Sequence, residues 1–166
     1  MRVIIIGSGR VGAAIAHHLS ARGHNVCVVD SDPDSLLRLG ENWSGEFYVG
    51  EALDSELLER ISVDKADAFI ASTDDDNTNL VISQVAQRRY RVPIVVVRVF
   101  DPDKAAWYSK RGLRVVCPTL RAIDEMIEAV DPNGGERIDG DAQVREAVGI
   151  LETGADAGIS DAHQGR

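Results

Sequence analysis

Short runs of β-branched and apolar residues recur along the first 130 positions, and each is followed by a segment with apolar residues at helical spacing. The runs at 2–6, 25–29, 46–49, 67–71, 93–99 and 114–116 predict strands. The intervening segments 10–21, 33–40, 55–61, 75–89, 103–110 and 119–130 predict helices. Runs such as Val3-Ile4-Ile5-Ile6 lack the alternation of a half-exposed strand, so both faces of the sheet are expected to lie under helices. A six-fold β-α alternation of this kind predicts an α/β fold: a Rossmann-like, doubly wound, parallel six-stranded sheet with flanking helices.

Several boundaries carry their own chemistry. Asp32-Pro33 and Asp101-Pro102 each place an acid before a proline, as at a helix start. Gly23, Gly40 and Gly112 fall where helices should end, which suits left-handed caps. Asp54 is expected to cap the third helical segment and Thr119 the last. After Val130 the pattern stops at Asp131-Pro132-Asn133-Gly134-Gly135. Residues 131–166 are expected to form an acidic, mostly flexible tail, with one short helix at 142–151, behind a nucleotide-binding domain over 1–130.

Charge follows the same division. Of the net −9, the tail carries −5, from eight acids against three arginines, so the body is nearly balanced. An acidic chain of this kind is not expected to bind nucleic acid, whose phosphates need a basic footprint. An apolar content of 44% is that of a soluble globular protein, and no apolar run approaches the roughly 20 residues that span a bilayer. The N-terminal apolar stretch is too short for the core of a signal peptide, so a cytoplasmic protein is expected. Cys27 and Cys117 lie apart inside apolar runs and read as buried free thiols.

The strongest motif is Gly7-Ser8-Gly9-Arg10-Val11-Gly12, placed between the first strand and the first helix. Gly7 permits a tight turn, Gly9 removes a side chain from the path of a pyrophosphate, and Gly12 lets helix and strand pack closely. The N–H groups of the helix start then face phosphate oxygens. Asp30, with Ser31 beside it, ends the second strand eighteen residues after Gly12, where an acid accepts from ribose hydroxyls and disfavours a 2′-phosphate. Arg10 either reaches a terminal phosphate or is a solvated first-turn arginine.

A second group of residues belongs to the same carboxyl edge of the sheet, where open α/β sheets bind ligands. Ser72 and Thr73 follow the fourth strand and can hydrogen-bond a nucleotide. Of Asp74, Asp75 and Asp76, one is read as a helix cap and the others as favouring the helix dipole, in preference to a metal site. Gly50, Glu51 and Ala52 border the adenine position. Arg98, at the end of the fifth strand, faces either a phosphate or a local aspartate. His17 and His18 lack metal-ligand spacing and read as surface or packing residues.

Catalytic motifs do not accompany the glycine loop. Tyr48, Tyr90 and Tyr108 are followed four places on by Ala52, Ile94 and Gly112, so no Tyr-x-x-x-Lys pair exists. Walker, G-x-S-x-G and H-E-x-x-H motifs are also missing. A small NAD-dependent oxidoreductase, or the cofactor-binding half of one, is the alternative reading. A non-enzymatic nucleotide sensor is preferred.

Five segments together resemble a known family. They are Gly7 to Gly12 with Arg10; Asp30; Gly50-Glu51-Ala52-x-Asp54; Ala71-x-Thr73-x-Asp75-Asp76-x-Thr78-Asn79; and Val92-Pro93 through Arg98-Val99. In this order they resemble the RCK or KTN nucleotide-binding domain of potassium-transport regulators, over roughly residues 1–130. The resemblance implies a regulatory domain that binds NAD(H), or ATP/ADP at the same site. It further implies a homodimer or larger ring, possibly with a second regulator subunit, beneath a membrane potassium transporter or channel at the inner face of the membrane. It also implies that Arg10 reaches the terminal phosphates of ATP, and that segment 119–130 crosses to a neighbouring subunit. That segment's apolar stripe of Ala122, Ile123, Met126, Ile127 and Val130 suits such a role; packing onto its own sheet is the alternative. Many members add a C-terminal effector lobe, where this chain has the acidic tail.

Overall fold

The computed structural model describes residues 1–132. The strands are β1 (Arg2–Ile6), β2 (Asn25–Asp30), β3 (Glu46–Val49), β4 (Ala68–Ala71), β5 (Ile94–Arg98) and β6 (Arg114–Val116). The α-helices are α1 (Arg10–Ala21), α2 (Ser55–Arg60), α3 (Asp76–Arg88), α4 (Pro102–Ser109) and α5 (Pro118–Val130). All strand pairs are parallel, in the order β3-β2-β1-β4-β5-β6. The chain therefore winds outward in one direction from β1 and, after β3, returns to start again at β4. The β1–β4 boundary is the switch point at which the carboxyl edge opens into a crevice.

The apolar runs explain why this sheet has two cores. Side chains alternate across a strand, so β1 sends Val3 and Ile5 to one face and Ile4 and Ile6 to the other. The first pair packs with Val26, Val28 and Ala68 under Ala13 and Ala16 of α1. The second packs with Cys27, Val29 and Phe69 under Leu57 and Leu58 of α2 and Leu80, Ile82 and Ala86 of α3.

Most predicted boundaries move by one or two residues. The segment predicted as a helix over 33–40 is a 3-10 helix over Pro33–Arg38, begun by Asp32, whose side chain accepts from Asp34 N. Gly23, Gly40 and Gly112 have φ of +79°, +73° and +86° as expected of left-handed caps. Asp54 caps α2 by accepting from the N–H groups of Glu56 and Leu57. Thr119 does not cap the last helix. Cys117 occupies the cap position without a side-chain bond, because Pro118 starts the helix one residue earlier and the Thr119 hydroxyl instead donates to Phe100 O at 2.7 Å. The predicted helix at 142–151 and the flexible tail fall outside the described residues. Among the described residues no helix is long and apolar enough to cross a membrane.

Both cysteines are buried free thiols. Burial pushes the Cys27 thiol up to about 12, with Glu46 nearby adding to the effect and Arg2 opposing it. Since the thiolate is the reactive form, Cys27 should resist iodoacetamide in the native protein at pH 8 and react only in denaturant. Peptide mapping by mass spectrometry reads this, and rapid native alkylation of Cys27 contradicts it.

Candidate nucleotide site

A cleft of about 950 Å³ runs along the carboxyl edge of the sheet. At the β2–β3 side it is lined by Asp30, Ser31, Asp32, Arg38, Gly50, Glu51 and Ala52. Gly7, Gly9, Arg10 and Val11 form its centre. Ser72, Thr73, Asp74, Asp75, Thr78, Arg98, Phe100 and Pro118 line the β4–β5 side.

Each glycine of the central loop answers to a different steric fact. Gly7 has φ of +94°, and a Cβ there would lie 2.8 Å from Thr73 N. A Cβ on Gly12 would lie 1.8 Å from Gly7 O. Gly9 is different, because a Cβ on it would meet nothing among the described residues within 4 Å. Packing of the protein against itself therefore explains Gly7 and Gly12, whereas the bare backbone of Gly9 faces the cleft. Gly9 is also the cap residue of α1 and supplies no side-chain cap. The first N–H groups of the helix are thus presented to the cleft beside it, which fits a phosphate.

Asp30 stands next to this loop. Its carboxylate accepts from Ser8 N with one oxygen and from Asp32 N, at 2.9 Å, with the other. An ionised carboxylate has about four acceptor positions, so two remain for hydroxyl donors. Gly50 N donates to Asp30 O at 2.9 Å, which brings the loop after β3 alongside.

All the sequence-predicted site residues line the cleft except Ser8 and Gly12. Ser8 is fully buried and its hydroxyl donates to Ser35 O at 3.3 Å, on the far side of the loop. Gly12 lies beneath Gly7 and acts through packing. The hydroxyls of Ser72 and Thr73 are already engaged. Ser72 Oγ donates to the carbonyls of Ile6 and Gly7, and Thr73 Oγ1 donates to Asn79 Oδ1 at 2.7 Å. Among the described residues Arg98 forms no ion pair with an aspartate. Its Nη2 donates to Thr73 O at 2.6 Å and its guanidinium lies 4.6 Å above the Phe100 ring.

The aspartate run has distinct tasks. Asp75 caps α3, and hydrogen bonds from the Thr78 side chain and then its backbone hold its carboxyl below the ordinary range. Asp76 accepts from Phe100 N and Asp101 N at 2.8 and 3.0 Å, tying the start of α3 to the loop after β5. His17 and His18 are exposed, with His17 edge-on to Trp43.

Sequence reasoning missed Arg38, Phe100, Thr78 and Pro118 as cleft residues. Phe100 was within reach, since it lies two residues after Arg98 on the same side of an extended chain. Arg38 and Pro118 arrive through the placement of whole elements, which no local pattern encodes.

The steric facts set an expected outcome. Gly12→Ala should displace the loop and destabilise the fold by about 1–3 kcal/mol, with a lower urea midpoint, whereas Gly9→Ala should leave the midpoint close to that of the unmodified protein. Equal midpoints for both variants would contradict this assignment.

The comparisons with known proteins agree with this geometry. The family model of the TrkA-N domain matches residues 3–118. The Trk system potassium uptake protein TrkA of Streptomyces coelicolor is 35% identical over 136 residues, covering 82% of this chain and 61% of the relative. Its counterpart in Mycobacterium tuberculosis is 32% identical over 129 residues, covering 77% and 58%. The chain thus spans about three fifths of the length of these curated relatives. Among solved structures, a Kef CTD from Shewanella denitrificans in an AMP-bound form superposes with TM-score 0.68 at 25% identity, covering 94% of this chain and 93% of that one. GsuK bound to ADP gives 0.67 at 20% identity, covering 79% and 34%. The NAD-bound GsuK channel gives 0.63 at 22%, covering 76% and 23%. With its glycine loop, the acid that ends β2 and its six-stranded parallel sheet, the chain belongs to the TrkA-N family, whose model it matches over residues 3–118.

Proposed function

We propose that residues 1–130 are a regulatory domain that binds an adenine nucleotide, NAD(H) or ATP/ADP, and controls a membrane potassium uptake transporter or channel. The observation that carries the binding half is the exposed backbone of Gly9 beside the uncapped start of α1, with Asp30 next to it. Backbone N–H groups at the helix start meet the phosphates, and the free lone pairs of Asp30 accept from ribose hydroxyls. Gly7, Arg10, Val11, Ser31, Gly50, Glu51, Ala52, Ser72, Thr73 and Arg98 line the rest of the site; Ser8 and Gly12 hold the loop's shape. The AMP, ADP and NAD bound in similar structures support this ligand class. The TrkA names of the relatives support potassium uptake as the process controlled.

The regulatory reading is preferred to the oxidoreductase because the cleft lining, among the described residues, contains no histidine, tyrosine or lysine to take a proton from a substrate hydroxyl. Of the lining carboxylates, Asp30, Asp32 and Asp75 are engaged with backbone N–H groups, while Glu51 and Asp74 are exposed to solvent. The partner reading rests on α5. None of its residues is buried, and Met126, Ile127 and Val130 are 69%, 50% and 87% exposed. An apolar stripe left off its own sheet suits a neighbouring subunit in a homodimer or ring at the inner face of the membrane.

Two measurements test these halves. Thermal-shift titration with NAD, NADH, ATP and ADP should raise Tm for at least one, since a ligand at a hundredfold excess over Kd adds about 2.7 kcal/mol, and Asp30→Ala should diminish that shift relative to its own unliganded Tm. No shift with any of the four defeats the nucleotide reading. In size-exclusion chromatography with nucleotide, the unmodified chain should elute as a dimer or larger and Ile127→Glu should elute smaller. A strict monomer at all concentrations defeats the assembly reading.

A further inference from the structure

The β4–β5 half of the cleft carries a cation that the fold has not paired. Arg98 ends β5 and lines the cleft. One of its five N–H donors is used on Thr73 O, while Nε is buried with no partner. Among the described residues no carboxylate forms a salt bridge with it; Asp74 and Asp76 act at longer range. Burial pushes its pKa down and these two aspartates oppose the shift. The guanidinium is nonetheless held in place, between Thr73 O and the Phe100 ring. A half-buried cation, fixed in position and without a counterion, favours an anion arriving beside it.

Strand order says what part of a ligand arrives there. On the nucleotide reading of the cleft, the ribose lies against Asp30 at the end of β2 and the first phosphates lie at the start of α1 above β1. Whatever follows those phosphates continues toward β4 and β5. For ATP that is a further phosphate, and for ADP the terminal phosphate lies nearest. For NADH it is an uncharged dihydronicotinamide riboside, and for NAD+ a pyridinium cation. AMP ends before this half. The geometry points to Arg98 as the residue that sets ligand specificity here: it selects adenine nucleotides with an anionic tail, nucleoside di- and triphosphates, against the oxidised dinucleotide.

This inference rests on the reading of the cleft as an adenine-nucleotide site. Three other charges near the path of the phosphates carry less weight. Arg10 is exposed, so solvent weakens its pull on a phosphate. Asp74 and Asp75 are exposed too, and Asp75 is engaged with Thr78; screening blunts their repulsion of an anion.

Isothermal titration calorimetry on the full chain, in EDTA, with AMP, ADP, ATP, NADH and NAD+ tests it. In the unmodified protein affinity should rise from AMP through ADP to ATP, and NADH should bind more tightly than NAD+. In Arg98→Gln the ratio of ATP to AMP affinity should fall about 10- to 100-fold, the range of one charge-assisted hydrogen bond. Normalising to AMP in the same variant removes any general loss of binding. An unchanged ratio, with AMP still bound, overturns the role of Arg98 while leaving the nucleotide site intact. NAD+ binding as tightly as ATP or NADH to the unmodified protein overturns it as well, with no need for the variant to fold. If no adenine nucleotide binds the unmodified protein, the inference and the reading beneath it both fail.

Discussion

Gly7, Gly12 and the Ser72–Thr73 segment meet at the β1–β4 boundary, with the small Ser72 side chain the one that reaches between them. A Cβ on Gly12 would fall inside the Gly7 carbonyl, and one on Gly7 would press on Thr73 N. This crowding makes the rest of the site possible. It draws the start of α1 close over the sheet, so that the helix points its first N–H groups along the carboxyl edge and does not splay away from it. Ser72 secures the same crossing by donating to the carbonyls of Ile6 and Gly7, and Ser72 N donates to Ile6 O. The switch point of the sheet and the glycine loop at the centre of the cleft are therefore one structure.

Asn79 extends that arrangement across the cleft. It is fully buried, accepts from Thr73 N and Oγ1, and donates to the carbonyls of Thr73 and Arg98. A buried amide with this many satisfied partners holds two loops in one relative position. Asp76 adds a second tie from α3 to Phe100 and Asp101. From Phe100 the chain of contacts continues to α5, through the Thr119 hydroxyl and the Cys117 thiol, both of which donate to Phe100 O. The glycine loop and the exposed apolar helix are thus connected by hydrogen bonds through the cleft wall.

Much of this was legible in the residues. Val3 to Ile6 and the matching runs implied a sheet buried on both faces, and the two cores confirm it. The glycine loop and Asp30 pointed to the cleft because each meets a local requirement that spacing alone displays. Thr119 shows where such reasoning fails. Its position suited a cap, but Pro118 began the helix earlier and its hydroxyl found a partner nineteen residues away, at Phe100. Ser72 and Thr73 show a related gap. They lie in the cleft as expected, yet their hydroxyls serve the fold, which only the positions of Gly7 and Asn79 reveal. The environment of Arg98 was equally hidden, because whether a charge is paired depends on every element that surrounds it.

By itself the sequence determined the alternation of strands and helices, the parallel two-faced sheet, and the loop whose glycines and acid suit a nucleotide. These follow from periodicities and spacings within a few tens of residues, where backbone sterics and side-chain alternation act locally. Tertiary structure alone decided which hydroxyls were spent on the fold, which cation was left unpaired, and that the apolar stripe of α5 lies off its own sheet. Those outcomes depend on contacts between residues distant in sequence, and on the burial such contacts create. Burial in turn sets the strength of every charge and hydrogen bond in the site.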